Sequence, residues 1–213
     1  MPHGALIEAT HYVGPPIFWG VAGATTATII AFWIVFYVWL GGELWLGRSR
    51  RAPAGAARRD DGSKWLLISS VWVTVALGMG LAFAFPDAAI TSGRGALFMA
   101  GLALMIAGLA VRYYSIRVLG ASFTVDVATR SGQEVVESGP YRWVRHPSYT
   151  GALLTILGIL VCCLNFVSLA AIVFVAAGYA YRIRVEERVL AEDLGPAYRD
   201  YMRRTKRLIP FLI

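Results

Sequence analysis

The sequence predicts an all-α, polytopic membrane protein with about five transmembrane helices, the last two forming a helical hairpin. Three observations predict it. Hydrophobic residues make up 57% of the 213-residue chain and charged residues only 15%, against roughly 25% charged in soluble domains. Several apolar runs approach or exceed the ~20 residues a helix needs to cross ~30 Å of hydrocarbon. Lys and Arg are confined to the segments between those runs.

The first run, 17–40, sits in a stretch from Ala9 to Gly42 without Asp, Glu, Lys or Arg. Residues 1–16 hold no basic n-region, and the run that follows is too long for an h-region, so no cleavable signal peptide is expected. A second span covers 65–85 and is closed by Pro86. A third has its core at 96–111 and extends toward Leu119. The fourth apolar stretch, 152–181, is 30 residues long, more than one helix needs. Its most turn-like point is Leu164-Asn165-Phe166-Val167-Ser168. With Pro147 as the first helical residue, the stretch divides into arms 147–164 and 166–187.

Charge supports the hairpin. Under the five-span division, 19 of the 20 Lys and Arg fall on one side, leaving only Arg94 opposite. The positive-inside rule makes that side cytoplasmic, with the N-terminus outside and the C-terminus inside. A single last helix would place the eight basic residues from Arg182 to Arg207 outside. The same pattern explains the basic balance through topology and anionic membrane lipid, so nucleic acid is not expected as a partner. The loop 47–62, rich in Ala, Gly, Arg and Pro, reads as mobile. Cys162 and Cys163 are adjacent inside an apolar run. They suit neither a disulfide nor a metal site, and read as packing residues.

A hairpin returns the chain to its starting side, which brings the polar segment 146–149 close to 182–187. The first arm presents free N–H groups and a positive helix end, which favour an anionic group. Arg142, Arg145 and His146 add donors of the same sign. Glu186 and Glu187 could answer an ammonium, a cation or ribose hydroxyls. Each residue also has a purely structural reading. Arg182 and Glu186 could be an i,i+4 ion pair, and His146 a helix cap. The arginines could be topology anchors, and Tyr141 and Tyr149 interfacial aromatics. Glu43 and Arg112, ionisable near hydrocarbon, are weaker candidates.

Leu119-Gly120, Phe123-Thr124 and Gly139-Pro-Tyr-Arg-Trp-Val-Arg-His-Pro-Ser-Tyr-Thr-Gly151 together resemble the isoprenylcysteine carboxyl methyltransferase family. So do Arg182-Ile-Arg-Val-Glu-Glu-Arg-Val-Leu190, Leu194-Gly195, Tyr198, Tyr201 and Ile209-Pro210. The resemblance covers about 119–213; phospholipid N-methyltransferases and, more loosely, membrane sterol reductases share parts of it. It implies one integral membrane domain, 1–213, with N-terminal transmembrane helices in 1–95 and a catalytic region in 96–213. It also implies S-adenosylmethionine as cofactor and a lipophilic acceptor entering from the bilayer. A prokaryotic inner-membrane location follows from the bacterial and archaeal type of member it resembles. The matching positions are Tyr141, Arg145, His146, Pro147, Tyr149 and Gly151 for the cofactor region. Glu186, Glu187 and Arg182 match the acidic segment that would serve catalysis. Where the family often has Phe-Gly, this chain has Leu194-Gly195. No Gly-rich loop between strand and helix is present, so a Rossmann-type cofactor site is not expected. Carboxyl O-methylation is the leading function. The alternatives are phospholipid N-methylation, a nicotinamide-dependent reductase and a non-catalytic binder of anionic lipid. Oligomeric state and acceptor identity are not readable.

Reporter fusions after Leu46, Ser92 and Ile213 should register cytoplasm, exterior and cytoplasm in turn. An exterior signal at Ile213 would eliminate the hairpin.

Overall fold

The computed structural model describes residues 26–50, 59–129 and 132–210. Seven α-helices occur among them, with no strand: α1 Thr26–Ser49, α2 Ser63–Ala84, α3 Arg94–Leu119, α4 Pro147–Cys162, α5 Phe166–Ala170, α6 Ile172–Asp193 and α7 Gly195–Arg204. Four stretches are long and apolar enough to cross a membrane: Thr26–Ser49, Ser63–Ala84, Arg94–Ser122 and Phe166–Asp193. The shorter apolar α4 turns into α5 and α6, which return the chain as the expected hairpin, while α4 packs mainly on α3 and α6 mainly on α2. The signal-peptide reading of 1–16 lies outside the described residues, as do 17–25 of the first span and 51–58 of the loop read as mobile.

Large apolar side chains such as Ile34, Trp65, Phe83, Ile106 and Phe174 are exposed. That surface is what a lipid-facing bundle presents, because apolar residues gain nothing by turning inward from hydrocarbon. The buried core joins Phe32, Phe36 and Trp39 of α1 to Phe98, Leu102 and Met105 of α3. Ile156 and Ile159 of α4 and Val175 and Tyr179 of α6 complete it.

The closest helix pair is α3 with α4. In lipid, helices associate by close backbone packing of small residues. Gly101 and Gly108 are seven residues apart on α3, and Gly151 and Gly158 seven apart on α4, so each pair repeats on one helix face. A Cβ on Gly158 would lie 2.6 Å from Gly101 O and 2.7 Å from Met105 N, and one on Gly151 2.5 Å from Arg112 N. These are backbone collisions, which side-chain rotation cannot relieve. The helices run antiparallel, pairing Gly101 with Gly158 and Gly108 with Gly151.

Two details depart from the sequence reading. The first helix runs to Ser49 instead of ending near Leu40. Gly41 and Gly42 do not break it, since glycine weakens a helix without removing a backbone hydrogen bond; Glu43 just beyond them pairs with Arg112 on α3. An additional helix, α7, begins at Gly195, whose φ of +60° lets the chain turn sharply away from the end of α6. The hairpin turn itself lies where expected. Leu164 takes a positive φ of 50°. The Asn165 side chain then caps α5, accepting from Val167 N at 2.9 Å and Ser168 N at 3.1 Å. Its amide nitrogen donates to Phe85 O at 2.8 Å, fixing the turn to the end of α2. Cys162 and Cys163 are free thiols in the core.

Gly151→Leu should prevent stable α3–α4 packing and lower the recovery of folded, monodisperse protein. Gly80→Leu, at a helical glycine with open space around it, should leave recovery near wild type. Fluorescence-detected gel filtration in detergent compares the two.

Candidate active site

The polar segment after Ser138 is built by a chain of local turns. Gly139–Arg142 forms a short 3-10 turn that buries Tyr141. The Tyr141 hydroxyl donates to Ser115 O at 3.3 Å, and burial pushes its phenol above the ordinary range, so it stays protonated. Arg142 lies over the Trp143 ring, 4.5 Å from its centroid. Trp143 is itself exposed, which is an interfacial anchor's arrangement.

Residues 143–146 then pair with the C-terminal tail. Arg145 N donates to Lys206 O at 2.7 Å, His146 N to Arg207 O at 3.0 Å, and Lys206 N to Trp143 O at 3.0 Å. Thr150 Oγ1 donates to Leu208 O at 2.6 Å. The tail and the start of α4 thus form one unit. His146 occupies the N-cap position of α4 without capping it through its side chain, and Pro147 is the buried first residue.

Glu187 is where this unit meets α6. Its Oε1 accepts from Arg145 Nε at 2.8 Å and its Oε2 from Arg207 Nε at 3.0 Å. His146 Nε2 meets Oε1 at 3.3 Å. A carboxylate can only accept, so that nitrogen carries the hydrogen. Arg145 is further held by the carbonyls of Met202 and Thr205. The side chains of Glu187, Arg145 and His146 are buried while that of Arg207 is half exposed, and Glu187 lines neither of the cavities described next.

Glu186, one residue earlier, faces open space. Its Oε2 accepts from the Tyr149 hydroxyl at 2.5 Å. The Tyr149 ring stacks on His146 with centroids 5.4 Å apart and planes 7° from parallel. Arg182 is buried. It donates to Tyr149 Oη at 3.4 Å, Ser63 Oγ at 2.9 Å and Val125 O at 2.9 Å. Its distance to Glu186 is 3.9 Å. Arg182 therefore ties α6 to α2 and to the loop after α3, which is more than the surface i,i+4 pair its spacing allows.

Two cavities meet at this place. One, of about 720 Å³ including its open mouth, is lined by Gln133, Tyr141, Ser148, Tyr149, Glu186 and Tyr198. The other, of about 1390 Å³ on the same measure, runs among the spans past Trp39, Glu43, Trp72, Arg112, Ile156 and Tyr179. Phe123, Thr124 and Tyr149 line both. Arg112 sits at the junction. It pairs with Glu43 through Nε at 2.5 Å and Nη2 at 2.6 Å. Its Nη1 reaches Ser148 O at 3.3 Å and Ser148 Oγ at 3.2 Å.

Of the nine residues singled out by the sequence, Tyr141, Arg145, His146, Tyr149 and Glu186 line the first cavity, and Tyr149 and Arg182 the second. Pro147, Gly151 and Glu187 line neither. Gly151 instead admits the backbone of Arg112. Sequence reasoning underrated Arg112 and Glu43, whose opposite charges near apolar runs were the available signal. It passed over Ser148 within its own motif, and Gln133 to Val136, which has no pattern to find.

Residues 101–192 match the model of the isoprenylcysteine carboxyl methyltransferase family. The protein-S-isoprenylcysteine O-methyltransferase of Saccharomyces cerevisiae is 35% identical over 136 residues, 61% of this chain and 57% of the relative. Protein-S-isoprenylcysteine O-methyltransferase B of Arabidopsis thaliana is 34% identical over 115 residues, 53% of this chain and 58% of the relative. The chain thus spans less than two thirds of the length of these relatives. The fold is similar to the solved structure of the eukaryotic intramembrane Ras methyltransferase ICMT, with a TM-score of 0.56 and 22% identity over 94% of this chain and 69% of the other.

The two adjacent glutamates should separate in experiment. Glu187→Gln leaves the buried side chain of Arg145 without its carboxylate, a loss of about 3–5 kcal/mol, and should lower the thermal midpoint by several degrees. Glu186→Gln keeps a partner for Tyr149 and should leave the midpoint nearly unchanged. Equal midpoints in both variants would contradict the clamp role of Glu187.

Proposed function

We propose that this chain is an S-adenosylmethionine-dependent membrane methyltransferase that esterifies a carboxylate on a lipophilic, isoprenylcysteine-like acceptor. The observation that carries this reading is the meeting of a tyrosine-rich cavity with a larger one among the spans, whose apolar walls also carry charged side chains, at a single wall, Tyr149 with Phe123 and Thr124. The family match of residues 101–192 and the names of the relatives support it.

The first cavity suits the cofactor. Tyrosine faces offer stacking and cation–π contact to an adenine ring or a sulfonium. Glu186 offers a carboxylate to an ammonium or to ribose hydroxyls. When bound, S-adenosylmethionine supplies an electrophilic methyl group. Tyr141, Tyr149 and Tyr198 line its chamber, and the Arg145–Glu187–His146 cluster holds the start of α4 rigid beneath it. Tight placement is what a displacement at carbon chiefly requires.

The second cavity suits the acceptor. Four cations line it, Arg48, Lys64, Arg112 and Arg182; Lys64 is answered by Asp126 and Arg182 by Asp60, which leaves Arg48 and Arg112 facing the single carboxylate of Glu43. That excess favours an anionic headgroup over an amine, and so carboxyl methylation over phospholipid N-methylation. A carboxylate is ionised at neutral pH and needs no base. Arg112 is the cation placed to hold it, since it touches Ser148 of the cofactor cavity while lying in the acceptor cavity. The apolar walls displace water from the nucleophile. We place the catalysis in 96–213 of a single membrane domain, with the N-terminus outside and the site at the cytoplasmic face. The positive-inside distribution favours that orientation.

Labelled methyl from S-adenosylmethionine should pass to an S-prenylated N-acetylcysteine and be released by mild alkali as methanol, the signature of an ester. Glu186→Gln should lose most of this activity at unchanged thermal stability. Alkali-stable label on an amine lipid would overturn the carboxyl assignment.

A further inference from the structure

Glu43 offers Arg112 a carboxylate in the bidentate geometry that a bound carboxylate substrate would adopt. Their exposures differ: the Glu43 side chain is 31% exposed and that of Arg112 9%. One partner can therefore swing into the open cavity, while the other is held in place. Arg112 and Glu43 both line the second cavity, and Arg112 Nη1 is taken up by Ser148. The other cations there are engaged elsewhere. Lys64 binds Asp126 at 2.8 Å, Arg48 donates to Leu44 O at 3.2 Å, and Arg182 is tied to Ser63 and Val125.

Charge accounting then restricts what can displace Glu43. Stripping a carboxylate from a buried guanidinium leaves an uncompensated charge, which is strongly unfavourable. Exchanging one carboxylate for another leaves the local charge unchanged. A neutral lipophile of the same shape gains the apolar contacts of the cavity but cannot satisfy Arg112, so Glu43 stays in place. Selectivity of this kind arises from what the wrong ligand leaves unpaired.

We propose that Glu43 is an internal occupant of the acceptor subsite on Arg112, displaced by anionic lipophiles and retained against neutral ones. Glu43 is thus a specificity-determining residue and a self-inhibitory plug. This rests on reading the second cavity as the acceptor site. It also gives the esterified product a way out: once its negative charge is gone, the product no longer competes with Glu43 for Arg112.

The test is ligand binding by the full chain in detergent without S-adenosylmethionine, using laurate and its methyl ester as probes. Quenching of tryptophan fluorescence reports occupancy, because Trp39 and Trp72 line the cavity. Glu43→Gln should bind laurate about tenfold or more tightly than the wild type, the effect of one charged competitor worth roughly 1.4 kcal/mol. Methyl laurate should change less than about twofold on the same scale. Glu43→Ala should move laurate in the same direction, and Arg112→Gln should remove the preference for laurate over its ester. Unchanged or weaker laurate binding in both Glu43 variants would overturn the proposal, making Glu43 a support for Arg112. An equal gain for laurate and methyl laurate would overturn it too, since the effect would then be space and not charge. Methyl transfer plays no part in these measurements, so failure of the methylation reading would appear separately, as absence of alkali-labile label.

Discussion

The contact on which the polar architecture depends is the glycine-to-glycine packing of α3 against α4. A bilayer supplies no hydrophobic drive for two apolar helices to meet, so the pair must gain its stability from close contact. Gly101 and Gly108 on one helix and Gly151 and Gly158 on the other allow the backbones to approach where any Cβ would collide. That approach sets the backbone of Arg112 against Gly151 and places its side chain beside Ser148. The packing that holds the bundle together therefore also delivers a buried cation to the boundary between the two cavities.

A second constraint is that charges sunk near hydrocarbon must be paired, and the chain divides its two adjacent glutamates accordingly. Glu187 is consumed by Arg145, His146 and Arg207, which joins α6 to the α4 start and to the tail. With its partners held by the clamp, Glu186 is left at the cavity wall on a rigid base. Adjacent positions on a helix point roughly 100° apart, so one glutamate can be structural and its neighbour exposed to ligand. Arg182 follows the same economy, with donors spent on α2, on the loop after α3 and on the Tyr149 hydroxyl.

In the proposed reaction these two constraints serve one end. Tyr149 belongs to both cavities and is gripped by Glu186 and Arg182 while stacked on His146. A wall so held can keep the two chambers in register. Arg112 and Glu43 add a charge balance that an acceptor carboxylate could enter by exchange.

Much of the fold was legible in the sequence, because lipid imposes its demands locally. Each span must satisfy its own backbone and be apolar over its length, so 65–85 and 96–119 were visible as composition. Asn165 was visible as a turn, and the hairpin followed from the positions of Arg and Lys. The convergence of 146–149 with 182–187 followed from the hairpin alone. The sequence could not distinguish Glu186 from Glu187, since both fit the same motif and only the angular position of each on α6 separates cavity from clamp. Nor could it see that residues 205–208 fold back along 143–150, a pairing made by backbone groups that every residue carries. The meeting of Arg112 with Glu43 across 69 positions of chain was decided by α1 lying beside α3. Requirements met within one helix are written in its composition. Requirements met between helices depend on how their faces are turned toward one another, and that is fixed only by packing.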